Sequence, residues 1–168
     1  MADENNTAVE MTGDKLGEFK QTERPKFEKP VKAVVKEAKL FVNPKIEISG
    51  DGDKTQRAYL QVSYGLEAEH VFKSGQKTKE VFSNYGLKVY INGEGAAQTK
   101  VIYWGKKADS ATLKGLLIDQ TGMSKTADVK TILDTLKGKK VMLKTEDRQN
   151  PEDKSINPKV LISQFLPD

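Results

Sequence analysis

Cysteine is absent from the 168 residues, and histidine and tryptophan each occur once. Without a thiol the chain can hold no disulfide, no thiol nucleophile and no cysteine-bearing zinc or iron–sulfur centre, and nothing in it calls for an oxidising compartment. The single histidine, His70, stands beside Glu67 and Glu69, but no second histidine or cysteine exists to complete an ordinary zinc site. Long apolar runs are also missing: none approaches the ~20 residues that cross a bilayer. The opening Met1-Ala2-Asp3-Glu4-Asn5-Asn6 lacks the basic-then-apolar order of a secretory signal. These absences lead us to expect an intracellular, cytoplasmic protein with no membrane contact.

Two further motifs are missing. Ser49-Gly50-Asp51-Gly52-Asp53 resembles a fragment of a calcium loop, yet the glutamate due at the twelfth position is replaced by Val62 or Tyr64, depending on whether Asp51 or Asp53 is counted first. A turn is the better reading. The glycine–lysine pairs at Gly105 and Gly138, and Gly75-Gln76-Lys77, lack the spacing of a phosphate-binding loop. The expectation is therefore a protein that is not an enzyme and needs neither metal nor cofactor.

Charge is plentiful and unevenly placed. Residues 1–30 carry five Lys/Arg against seven Asp/Glu, a balance of minus two, so the remaining 138 residues hold 23 against 17, or plus six, behind an overall +4. Hydrophobic residues make up 36% of the chain, below the usual ~45%, as though a polar segment dilutes a core-forming one. Residues 1–30, with scattered Val9, Met11, Leu16, Phe19 and Phe27 and prolines at 25 and 30, read as a flexible arm. Residues 31–168 read as the folded domain. Its basic excess favours an anionic partner such as nucleic acid, although a lysine-rich solvated surface has the same composition.

Within the domain, Val31 to Val42 form a first strand with poor alternation near Glu37. Ala58, Leu60, Val62 and Tyr64 alternate with Tyr59, Gln61 and Ser63 in the clearest strand, which turns Tyr59 away from the aliphatic face. Leu87, Val89 and Ile91 do the same and leave Lys88 and Tyr90 outward. Asn92-Gly93 opens a turn, and Thr99 to Trp104 returns as a hairpin partner. The period then changes. Asp109 or Ser110 caps a helix near 110–121 bearing Leu113, Leu116 and Leu117; Thr126 caps a second near 126–137 bearing Val129, Ile132, Leu133 and Leu136. Val141-Met142-Leu143 and Lys159 to Phe165 close the chain as strands around a charged loop from Glu146 to Pro158. Mainly β with inserted helices, the order suits an OB-like antiparallel barrel, in which closure removes exposed edges and a helix plugs one end. An α+β sandwich is the alternative.

The run Leu136-Lys137-Gly138-Lys139-Lys140-Val141-Met142-Leu143, followed by a polar loop and Asn157 to Pro167, resembles the C-terminal half of small bacteriophage single-stranded DNA-binding proteins. In these a helix enters an L-x-G-K-x-V strand and the last strand ends in an aromatic–leucine–proline tail. The resemblance implies an OB-like barrel, non-catalytic binding of single-stranded DNA, and a role in phage DNA replication or recombination. Many such proteins end in an acidic, partner-recruiting tail; here the chain stops at Leu166-Pro167-Asp168, so an acidic arm contacting replication or recombination proteins would be the N-terminal one.

Single-strand binders need cations along the phosphate track and aromatic faces for the bases. Tyr59, Lys88 and Tyr90 supply both on outward strand faces. The next strand presents either Tyr103 with Val101, or Trp104 with Lys100 and Ile102, and Lys106 and Lys107 follow at once. The candidate nucleic-acid-binding set is thus Tyr59, Lys88, Tyr90, Lys100, Tyr103, Trp104, Lys106 and Lys107. Tyrosines and lysines on strands also serve packing and edge protection. The competing function is a viral structural or adaptor protein whose arm and barrel dock on neighbours, and a homo-oligomer is compatible with either. A weaker third reading is a small regulator that masks a host surface.

Overall fold

The computed structural model describes residues 8–10, 24–104, 109–150 and 152–167. The strands are β1 (Ala8–Glu10), β2 (Val31–Ile48), β3 (Lys54–Val71), β4 (Lys77–Asn92), β5 (Thr99–Tyr103), β6 (Lys140–Gln149) and β7 (Ile156–Phe165), with helices α1 (Asp109–Thr121) and α2 (Val129–Leu136) between β5 and β6; alternating apolar and polar side chains mark β3 and β4 most clearly. The fold is mainly β: six strands form one sheet in the order β5-β4-β3-β2-β6-β7, each antiparallel to its neighbour, and β1 pairs parallel with β2.

Several strands are longer than alternation alone suggests. β2 has a register shift between Val35 and Glu37, where alternation fails, and a second between Val42 and Ile46 that accommodates Pro44. β4 begins ten residues before Leu87, because Val81, Ser83 and Tyr85 face inward with Val89 and Ile91. The expected loop from Glu146 to Pro158 is mostly strand: Glu146–Gln149 pairs with Ile156–Lys159. Pro158 is tolerated there because that stretch of β7 is a sheet edge, where a missing N–H costs no ladder bond. The second helix starts later than expected, with Asp128 rather than Thr126 as its cap, its side chain accepting the N–H of Thr131 at 2.9 Å. Ser49–Asp53 is a hairpin turn in which Gly52 donates to the Ser49 carbonyl at 2.9 Å.

The core lies on the inner face of the curved sheet. Leu40, Leu60, Leu87 and Ile102 meet Val129, Ile132 and Leu133, so α2 covers one end of it. α1 packs against both β4 and β7. These two strands run parallel, and the backbone ladder is open between them. Side chains span the opening instead: Ser83 Oγ donates to the Val160 carbonyl at 2.7 Å, and the Ile162 N–H donates to Tyr85 Oη at 2.9 Å. Tyr64 Oη donates to Ser83 Oγ at 2.9 Å, which completes a buried polar seam.

The packed structure also reaches back before Val31. Pro25 is buried and the Phe27 N–H donates to Thr145 Oγ1 at 3.1 Å on β6. The stretch expected to be arm thus contributes a strand, Ala8–Glu10, and an anchor at Phe27.

Candidate nucleic-acid interface

Leu40, Ala58, Leu60, Tyr85, Leu87, Val89 and Ile91 are buried on the inner face, so their neighbours in sequence stand on the outer one. Pairing sets these outward residues in rows that cross the sheet. Phe41 lies opposite Tyr59, and Tyr59 opposite Gly86. Two residues along β3, Arg57 lies opposite Lys88, and Lys88 opposite Tyr103. In the next row Thr55 faces Tyr90, and Tyr90 faces Val101.

Two aromatic pairs mark this surface. The Phe41 and Tyr59 rings stack with centroids 5.1 Å apart and planes 27° from parallel. Tyr90 and Tyr103 meet edge to face at 5.5 Å and 73°. Phe41 is buried, Tyr59 and Tyr90 are half-buried, and Tyr103 is 38% exposed. Burial raises the pKa of the Tyr59 hydroxyl above its ordinary value.

Cations flank both pairs. Arg57 Nε donates to Glu47 Oε1 at 3.0 Å, and Lys39, outward on β2, pairs with Glu37 at 3.2 Å. Both pairs are solvent-exposed, and such pairs contribute about 0.2–1 kcal/mol each, so a phosphate can displace either carboxylate at small cost. Lys88 is exposed and makes no ion pair among the described residues.

The structure brings Tyr59, Lys88, Tyr90 and Tyr103 onto one face and separates two other expected members. The register puts Lys100 opposite Ile91 and Ile102 opposite Val89, on the inner side. Trp104 is only 7% exposed and packs among Leu40, Leu60, Leu87 and α2. An indole in that position serves the core and offers no face to a base, which corrects the expectation for Trp104. Lys100 is exposed but stands on the face opposite Tyr90 and Tyr103. Lys106 and Lys107 lie outside the described residues. Phe41 and Arg57 are outer-face residues that sequence reasoning passed over. Phe41 sits in the run Leu40-Phe41-Val42, all buried, where no alternation shows which residue points outward.

Elsewhere, the His70 ring is held edge-on between Phe27 at 5.2 Å and Phe72 at 5.0 Å. Lys73, Lys77 and Lys79 are exposed around the β3–β4 hairpin tip, whose turn is closed by Phe72 and Gln76. Among the described residues no group of three metal-ligating side chains converges, and no helix is long and apolar enough to cross a membrane. Comparison of the chain with protein-family models gives no match, and comparison with curated proteins gives none either.

Proposed function

We propose that this chain is a non-catalytic single-stranded DNA-binding protein of OB-like build, acting in phage DNA replication or recombination in the host cytoplasm. The observation that carries the reading is the shared outer face of β2–β5, where a stacked aromatic pair and an edge-to-face pair flank Arg57 and Lys88. Rings offer sequence-tolerant stacking worth about 1–3 kcal/mol per base, and the cations track the phosphates. The plus-six domain adds a long-range attraction for a polyanion. Lys106 and Lys107 follow Tyr103 closely in the chain, so in this reading they extend the phosphate track. The barrel reading is supported by the strand order, by the parallel course of β4 and β7, and by the Ser83 and Tyr85 bridges across their gap. The acidic N-terminal segment is the part suited to contact basic surfaces of replication or recombination proteins.

Trp104 is buried, so the test places the reporter on the DNA: anisotropy of a labelled oligonucleotide titrated with the full chain at two salt concentrations. The reading requires binding that weakens as salt rises. Absence of binding at low salt, or affinity indifferent to salt, would sink it. A second reading, a viral structural or adaptor protein, is favoured by the edge of β5, which has no outer strand partner among the described residues, and by the exposure of Val101 at 51% and Ile48 at 70%. A homogeneous closed assembly formed without nucleic acid, together with no DNA binding, would select it.

A further inference from the structure

Gly86 occupies the middle of a sixteen-residue strand, on the outer face between inward Tyr85 and Leu87. A glycine there weakens a strand, having no side chain to pack and the most backbone freedom to lose. The usual reasons for keeping one are missing. Its φ is not positive, so a side chain would meet no backbone penalty. A Cβ at this position would touch nothing within 4 Å among the described residues. The β3–β4 register runs unbroken from Lys54 to Gly65, so no bulge requires it. Gly65, on the same face, makes the contrast: a Cβ there would come within 2.7 Å of the Lys36 side chain, which crosses it to reach Glu80.

Nor does the cross-strand aromatic ring fold over Gly86 to compensate for it, a device found in sheets. The ring of Tyr59 lies on Phe41 instead, and Gly86 is exposed. Phe41, Tyr59 and Gly86 are consecutive positions of one row, on strands about 4.8 Å apart. The first two rings are separated by 5.1 Å, so the stack advances by one ring per strand and stops where glycine follows. Across the row from Tyr59 no further strand is paired among the described residues: the described β4–β5 ladder ends at Lys88 and Tyr103, and the Gly86 carbonyl accepts the hydroxyl of Ser110 at the start of α1. Along β4 the outward neighbours are Asn84 and Lys88, an exposed amide and a cation that makes no ion pair among the described residues.

We infer that Gly86 is the floor of a nucleobase slot, in which one base of the bound strand continues the Phe41–Tyr59 stack and Lys88 holds an adjoining phosphate. The slot rests on the proposed DNA-binding reading and assigns it a specific subsite. A β-branched side chain at position 86 would suit the strand and fill the slot.

The test compares the full-length protein with Gly86→Val, Gly86→Ala and Tyr59→Ala, each titrated against a labelled oligothymidylate and an abasic oligomer of equal length, with thermal melts alongside. Gly86→Val is expected to bind oligothymidylate about tenfold more weakly, to bind the abasic oligomer as the parent does, and to melt no lower. Gly86→Ala, which adds one methyl group, is expected to show a smaller loss in the same direction and carries the test if the valine variant does not fold. Wild-type affinity in both position-86 variants, with Tyr59→Ala impaired, would overturn the slot while leaving the binding face intact. Equal losses on both oligomers would also overturn it. Failure of the parent to bind either oligomer at low salt would overturn the DNA-binding reading, and the slot with it.

Discussion

The hydroxyl of Tyr85 on β4 accepts the backbone N–H of Ile162 on β7 at 2.9 Å, across a gap that no backbone ladder bridges. Both residues are buried, Tyr85 to 1% exposure. Removing the hydroxyl leaves a buried N–H without a partner, at a cost of about 1–3 kcal/mol. Tyr85→Phe should therefore lower the unfolding free energy by that amount, read as a lower urea midpoint with the slope of the transition unchanged. A variant as stable as the parent would show that the bridge does not hold β7 to β4.

The same seam makes the fold sensitive to alkali. Burial pushes the Tyr85 hydroxyl up from its ordinary 10.0 to about 12, against the opposing hydrogen bond from Ile162, and burial raises Tyr64 in the same direction. A phenol whose pKa is higher in the folded state stabilises the fold fully below pH 10 and loses that contribution as pH rises toward 12. Circular dichroism and tyrosinate absorbance should change together in this window. Early titration of all five tyrosines with the fold intact would contradict it.

At the start of α1, Asp109 accepts from Arg148 at 2.8 Å and from Lys159 at 3.0 Å, tying the helix to β6 and β7. Burial alone would raise its carboxyl, but the hydrogen bonds and charges of Arg148 and Lys159 outweigh it and hold the group below its ordinary 3.8. A carboxyl depressed in this way stabilises the fold above that ordinary value and loses its contribution as pH falls through the folded-state value. Asp109→Asn should cost about 1 kcal/mol near neutral pH. The parent and the variant should converge in stability as pH falls through the folded-state value; a constant gap through the acid range would point to lost packing instead.

Trp104 offers a control for the binding face. As a core indole it should emit at short wavelength in the folded protein and shift to the red on unfolding. Trp104→Ala should destabilise by about 3–5 kcal/mol, whereas Trp104→Phe should retain the parent's affinity for oligonucleotides. Loss of binding in a folded phenylalanine variant would return the indole to the interface.

On the outer face, Tyr59→Ala and Tyr90→Ala should each weaken oligonucleotide binding by about 1–3 kcal/mol. Lys88→Gln should instead reduce the slope of log affinity against log salt by about 0.7, the share of one released counterion on a single strand. A lysine variant with an unchanged slope would remove Lys88 from the phosphate track.

Local chemistry by itself determined much of this protein. Alternation through Ala58–Tyr64 and Leu87–Ile91 marked the strands and turned Tyr59, Lys88 and Tyr90 outward, because side chains alternate across a pleated strand whatever it pairs with. The stripe of Val129, Ile132, Leu133 and Leu136 marked a helix with one apolar face. The failed alternation near Glu37 marked a register shift that the β2–β3 pairing contains. What only the tertiary structure decided depends on pairing between distant segments. Whether Tyr103 or Trp104 faces out is set by the register of β5 on β4, and a slip of one residue would exchange them. Phe41 joined the outer face through its place opposite Tyr59, and Gly86 acquired meaning only as the next position in their row. Such relationships arise from hydrogen bonds between strands far apart in the chain, and no window of neighbouring residues contains them.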